Sequence, residues 1–127
     1  MKSLGFVISA SVLVELVAMT GTGQAQSTAP HPAYYVAEFE LRDAEAIRPY
    51  SSGVAATFEP FGGHFIVRGG KVVGLEGTPP GSRTVIIEFP SLEQAQAWYN
   101  SPAYTQLRPY RQRSGISRTY IIDGLTP

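Results

Sequence analysis

Residues 83–123 read RTVIIEFPSLEQAQAWYNSPAYTQLRPYRQRSGISRTYIID, and this stretch decides the fold. Val85, Ile87 and Phe89 alternate with Thr84, Ile86 and Glu88, which is the period and the β-branched content of a half-buried strand. Pro90 cannot donate to a ladder and ends it. Ser91, with Gln94 three residues on, forms a capping box whose hydroxyl satisfies a first-turn amide, so a helix starts there. Leu92, Ala95, Trp98 and Tyr99 recur at helical spacing opposite Glu93, Gln94, Gln96 and Asn100, giving one apolar stripe that must lie on a flat surface. Ser101 and Pro102 repeat the device, a cap followed by proline in the first turn, and restart a helix at Ala103. Pro109 is expected to end or kink it. A strand over residues 118–123 then closes a strand–helix–strand unit, whose handedness puts the two strands parallel and the helices on one face.

Working upstream, Tyr35, Ala37, Phe39 and Leu41 share the core face of a strand over residues 33–41, and Tyr34, Val36, Glu38 and Glu40 share the other. Asp43 reads as a helix cap, with Ala44, Ile47, Val54, Ala55 and Phe58 on one side of a helix that stops before Gly62-Gly63. Pro49 and Gly53 predict a kink in it. Phe65 and Val67 point one way in a strand over residues 64–68, Gly69-Gly70 reads as a bulge or turn, and residues 71–76 can prolong the strand. Gly77-Thr78-Pro79-Pro80-Gly81 is the hairpin loop that leads back into Arg83. The order is β-α-β-β-α-β, an α+β fold with an antiparallel sheet covered by helices on one face.

At the N-terminus, Lys2 precedes a mostly apolar run and Gly23-Gln24-Ala25 offers small residues where a signal peptidase reads. Residues 1–25 are therefore expected to be a secretory signal and residues 26–32 a proline-containing linker, with the protein secreted or periplasmic. Glu15 interrupts the apolar run. The run is short of the ~20 residues a spanning helix needs, so no stable membrane span is expected after cleavage. Removing 25 of 127 residues leaves 102, one domain by length. With no cysteine it must rely on apolar packing or association for stability. Ten basic against ten acidic residues argue against nucleic acid, which demands a basic face.

The runs HFIVRGG, VIIEFPSLEQAQAWYNSPAYTQLRPYR and the terminal RTYIIDG resemble the domain-of-unknown-function 1330 family. The resemblance spans residues 33–125. It implies a ferredoxin-like domain that pairs with a second copy, sheet against sheet, as a dimeric α+β barrel. It implies no activity, because cofactor-free monooxygenases, haem-degrading enzymes and lactone isomerases share only the architecture. Glu38 stands where a shorter acidic residue is expected.

In this fold the strands lie in the order fourth, first, third, second. The face without helices would carry Tyr34, Val36, Glu38 and Glu40; His64, Ile66 and Arg68; Thr84, Ile86 and Glu88; and Arg118, Tyr120 and Ile122. Its apolar breadth predicts a homodimer. Pairing of the first and fourth strands brings Glu38 or Glu40 near Arg118, either as a structural ion pair or as the wall of a ligand cavity in which Arg118 holds an anionic oxygen and Glu38 orients it or acts as base. For His64 two registers are open. An early turn at Gly69-Gly70 sets it by Glu88 and Tyr34, a constellation suited to proton transfer. A late turn at the Pro-Pro loop, which the loop length favours, leaves it solvated and pairs Glu88 with the Lys71 region. The candidate catalytic residues are thus Glu38 and His64, and the candidate ligand-binding residues are Tyr34, Arg68, Glu88, Arg118 and Tyr120.

Trp98 reads as core and Tyr104 as a helix contact. Arg108, Arg111 and Arg113 suit the carbonyl end of a helix, although by the family resemblance Arg111 could reach the mouth of a cavity. Thiol catalysis is excluded, and no G-x-S-x-G, phosphate loop or close histidine pair is present. No cofactor or metal is assigned. The expected role is capture of a small, apolar or weakly anionic molecule between sheet and helices or at the dimer face, with cofactor-independent acid–base or oxygen chemistry as one form and a non-catalytic structural or ligand-capture dimer, its cavity filled by Tyr34, Ile86 and Tyr120, as the other.

Overall fold

A computed structural model describes residues 31–79, 81 and 83–126, together with Ser3 and Gly5. The expected signal segment, apart from those two residues, and most of the linker lie outside them. Strands β1 (Ala33–Leu41), β2 (His64–Arg68), β3 (Arg83–Phe89) and β4 (Gly115–Asp123) form one sheet in the order β2-β3-β1-β4, with every neighbouring pair antiparallel. Helices α1 (Arg48–Phe58), α2 (Leu92–Tyr99) and α3 (Pro102–Ser114) complete the expected β-α-β-β-α-β order.

The two serine caps act as their sequence dictates. Ser91 accepts from the amide of Gln94 at 3.2 Å, and Ser101 from that of Tyr104 at 3.3 Å. Asp43 caps a turn rather than the helix itself, accepting from Glu45 and Ala46. Helix α1 begins only at Arg48, so Pro49 falls in its first turn, where no amide is needed, and starts the helix instead of kinking it. Gly53 is tolerated because Leu107 of α3 closes over it, leaving ordinary contact distance for no more than a Cβ. Pro109 does not end α3, which continues to Ser114. Both Pro109 and Thr105, whose carbonyl it deprives of a donor, are exposed, so water replaces the lost bond.

Trp98 is the hub of the core. It has no exposed surface, lies 4.1 Å from Tyr104, 4.9 Å from Tyr35 and 5.2 Å from Phe89 between ring centroids, and donates from Nε1 to Thr57 Oγ1 at 3.0 Å. Each such ring brings about 1.5–3 kcal/mol of burial, and the indole's one donor is satisfied. Gly62, at φ 77°, ends the short 3-10 turn Glu59–Phe61 in the left-handed region and leaves room for the Pro90 ring.

The second strand has the expected bounds, residues 64–68, but not the expected late register. His64 pairs with Glu88 and Phe65 with Ile87, but Val67 then pairs with Ile86 and Arg68 with Val85, so Ile66 is an extra residue in a β-bulge. The hairpin closes early, with the Gly69 amide donating to the Thr84 carbonyl at 2.9 Å. Residues 71–76 form no strand. The late register fails because the bulge uses up one residue before the glycines, and Gly69, at φ 67°, supplies the left-handed turn there.

Candidate functional site

Between the helices and the sheet lies a cavity of about 260 Å³. Its apolar walls come from inward positions of the sheet (Ala37, Phe39, Phe65, Val85, Ile87) and from α1 and the turn before it (Ile47, Val54). Its polar lining is Tyr35, Tyr50, Ser51, Arg68, Arg83 and Arg111. Among the described residues, no carboxylate and no imidazole line it.

Arg111 is the unusual member. Only 4% of it is exposed, yet no carboxylate pairs with it among the described residues. One guanidinium nitrogen donates to the Ser117 hydroxyl of β4, and its Nε is buried without a partner. The guanidinium carbon stands 5.9 Å from the Tyr50 ring centre. A buried guanidinium without a counter-charge is costly, and this one borders the cavity.

Three phenols line up beside it. Tyr104 is hydrogen-bonded to Tyr50 at 3.0 Å and to Tyr35 at 3.4 Å, oxygen to oxygen. Burial, followed by the Tyr104 oxygen, pushes the Tyr35 phenol far above its ordinary value. Tyr50 is raised likewise, first by burial and then by Tyr35 and Tyr104. Both stay protonated donors at any physiological pH. Burial opposes the charge on Arg111, but the oxygens of Tyr35, Tyr104 and Tyr50 favour it, and the balance is upward, so the guanidinium stays cationic.

The residues singled out from the sequence divide between the two sheet faces. Arg68 lines the cavity and not the helix-free face, because the bulge at Ile66 reverses the alternation after it. It stacks over Phe65, 4.5 Å from the ring centre. Glu38, His64, Tyr34, Glu88, Arg118 and Tyr120 occupy the opposite face. Arg118 pairs with Glu38 through both Nε, at 2.8 Å, and a terminal nitrogen. The arginine side chain is 76% exposed, so its raised pKa, due first to the hydrogen bond it donates to Glu38, marks a surface pair. His64 Nε2 lies 3.1 Å from Glu88, the early-register arrangement and not the Lys71 pairing the loop length favours, while the imidazole is 62% exposed, the solvated position expected of the late register. Tyr34 is opposite Glu88 on the neighbouring strand, and Tyr120 is exposed. The side chains expected to fill a cavity, Tyr34, Ile86 and Tyr120, do not line this one.

Tyr35, Tyr50, Arg83 and the depth of Arg111 escaped the sequence reading. The signal was there in part: a tyrosine on the core face of a strand needs a polar partner, and an arginine seven residues after Tyr104 returns to the same helix face. Arg108 caps a carbonyl end, but that of the preceding helix: it donates to the carbonyl of Tyr99, the last residue of α2, and stacks 4.1 Å over that residue's ring.

The sequence pattern described as "Domain of unknown function (DUF1330)" matches residues 32–125. The chain belongs to this family. The β-α-β-β-α-β order is the ferredoxin-like one, and solved structures share the fold. A protein of unknown function from Rhodopseudomonas palustris is 23% identical, with 76% of this chain and 85% of that one covered and a TM-score of 0.62. A hypothetical Arabidopsis thaliana protein is 18% identical over 83% and 98%, with a TM-score of 0.54. SnoaB, a cofactor-independent oxygenase from Streptomyces nogalater, is 14% identical over 76% and 96%, with a TM-score of 0.53. At these identities the likeness is one of fold alone. No functionally curated protein matches the chain. Among the described residues no helix is long and apolar enough to cross a membrane, and no group of three or more His, Cys, Asp or Glu is placed to hold a metal.

Proposed function

We propose that this domain captures a small, largely apolar molecule carrying an anionic oxygen, in the cavity between sheet and helices. The observation that carries the reading is Arg111: buried, cationic, without a carboxylate partner and with an unpartnered Nε, beside phenols held protonated. A guanidinium presents a planar fork to a carboxylate, enolate or phenolate, and the phenol of Tyr35 or Tyr50 can donate to the same oxygen. The aromatic and aliphatic walls take the ligand's body.

Acid–base catalysis by the protein has less support, since Glu38, Glu88 and His64 stand on the other side of the sheet. Oxygen chemistry on a ligand that enters already as a stabilised anion requires no protein base, so it is the catalytic form this cavity would accommodate. SnoaB, a fold relative, is a cofactor-independent oxygenase. Simple capture demands least of the residues present and is the form we favour.

The export and dimer expectations belong to the same reading. Residues 1–25 would direct the chain out of the cytoplasm, and a second copy would cover Ile66, Ile116, Tyr120 and Ile122, which the helix-free face exposes.

The test is calorimetric titration of the mature domain with benzoate and hexanoate, beside Arg111→Met and Arg111→Lys. Binding in the parent, weakening at least tenfold in the lysine variant and loss in the methionine variant are expected. Equal affinities in folded variants would sink the reading.

A further inference from the structure

Resting on that reading, we infer that the preferred ligand carries two acidic groups at opposite ends of a short apolar body, one held by Arg111 and the other by Arg68 and Arg83. The register fixes the geometry. Arg111 is anchored to Ser117, and Ser117 on β4 is opposite Phe39 on β1, whose other neighbour is Arg83 on β3. The strands carrying Ser117 and Arg83 are therefore two spacings apart, about 10 Å, with the Phe39 ring between them. Arg68, one strand further out, is opposite Val85 and so comes to the Arg83 side of the cavity.

Neither Arg68 nor Arg83 pairs with a carboxylate among the described residues. Beyond its stacking on Phe65, the Arg68 side chain donates among the described residues to the Ser51 carbonyl alone, at 3.5 Å, the far limit of a hydrogen bond. The Arg83 side chain passes beside Gly69, the residue after Arg68, and both arginines line the cavity. Two cations on one side of a cavity favour an anionic group there. One anionic group would answer one end and leave the other end positive. Two answer both, over an apolar floor of Ala37, Phe39 and Val85.

The size agrees. An apolar cavity of about 150 Å³ holds benzene, so about 260 Å³ holds one ring or a short chain with a group at each end.

The experiment is a calorimetric comparison of matched acids: benzoate with terephthalate, phenylacetate with 4-carboxyphenylacetate, and straight-chain monocarboxylates with α,ω-dicarboxylates of equal length. The parent is run beside Arg68→Gln/Arg83→Gln, whose side chains are not buried, and beside Arg111→Lys. At least one diacid should bind tenfold or more tightly than its monoacid, with a length optimum, and the paired glutamine variant should bring the diacid down to the monoacid's affinity. Equal affinity of monoacids and diacids, with Arg111→Lys weakening both, would overturn the two-ended ligand and leave capture at Arg111 standing. Binding of neither class, or a diacid advantage that survives the glutamine pair, would overturn this inference too; the absence of all binding would take the capture reading with it.

Discussion

The hydroxyls of Tyr50 and Tyr104 lie 3.0 Å apart, a bond that ties α1 to α3 along the wall of the cavity. Because burial holds Tyr50 and Tyr35 protonated well above the ordinary value of 10.0, the fold has an alkaline limit. Below that pH both folded and unfolded chains keep these protons, and stability is fully present. Above it the unfolded chain releases protons that the folded chain retains, so stability falls as pH rises, by about 1.4 kcal/mol per unit for each phenol. Urea midpoints measured at about pH 9 and about pH 11 should fall steeply in the parent and less steeply in Tyr50→Phe. Parallel pH profiles would contradict the assignment.

Deleting Ile66 should be tolerated. A deletion within a strand ordinarily turns every later side chain to the other face, but Ile66 is the residue the ladder leaves over, and Phe65 and Val67 already pair with the consecutive residues Ile87 and Ile86. Arg68 should keep its place against Val85. Deletion of Ile86, in the regular β3, is the comparison. Thermal midpoints should separate the two deletions widely, and equal damage would show that the bulge is needed for more than facing.

Gly115 joins α3 directly to β4, and a Cβ there would press into the Glu40 carbonyl and the Phe39 ring. The backbone is extended at this point, at φ 172°, so crowding alone is at issue. Gly115→Ala should cost about 1–3 kcal/mol, the usual range for overpacking, read from chemical denaturation of both proteins. An unchanged midpoint would mean that β1 and β4 can part at that end without loss.

If two copies pair across the helix-free face as proposed, Arg118 should matter between them and little within one. Its side chain is largely in water although it pairs with Glu38, and exposed pairs contribute little to subunit stability. Arg118→Ala should leave the thermal midpoint of dilute protein near that of the parent and shift the sedimentation equilibrium toward monomer. A lowered midpoint with unchanged association would assign the pair to the subunit's own fold.

The sheet order and the helices could be read because alternation, serine caps and glycine stops are local signals that the structure preserves. Glu38 opposite Arg118 followed from the same alternation. What could not be read is long-range. A bulge depends on how two strands are pinned by their neighbours, so the face of Arg68 was inverted and the partner of His64 misplaced. The depth of Arg111 depends on how closely α3 approaches β4, which Ser117 sets from outside the helix. Tyr35, Tyr50 and Tyr104 come from three distant segments, and nothing in their spacing says that their hydroxyls meet.

The placement of Trp98 gives the domain an optical reporter without any label. It is the one tryptophan in the chain, packed among Tyr35, Tyr99 and Tyr104, so light absorbed by those phenols transfers to a single indole emitter shielded from water. Because Tyr35 also lines the cavity and Tyr104 bonds to both cavity tyrosines, an occupant that rotates these rings changes the transfer efficiency. Ligand screening and unfolding can therefore be followed in one cuvette: transfer shifts while emission stays blue report occupancy, and a red shift reports loss of the core.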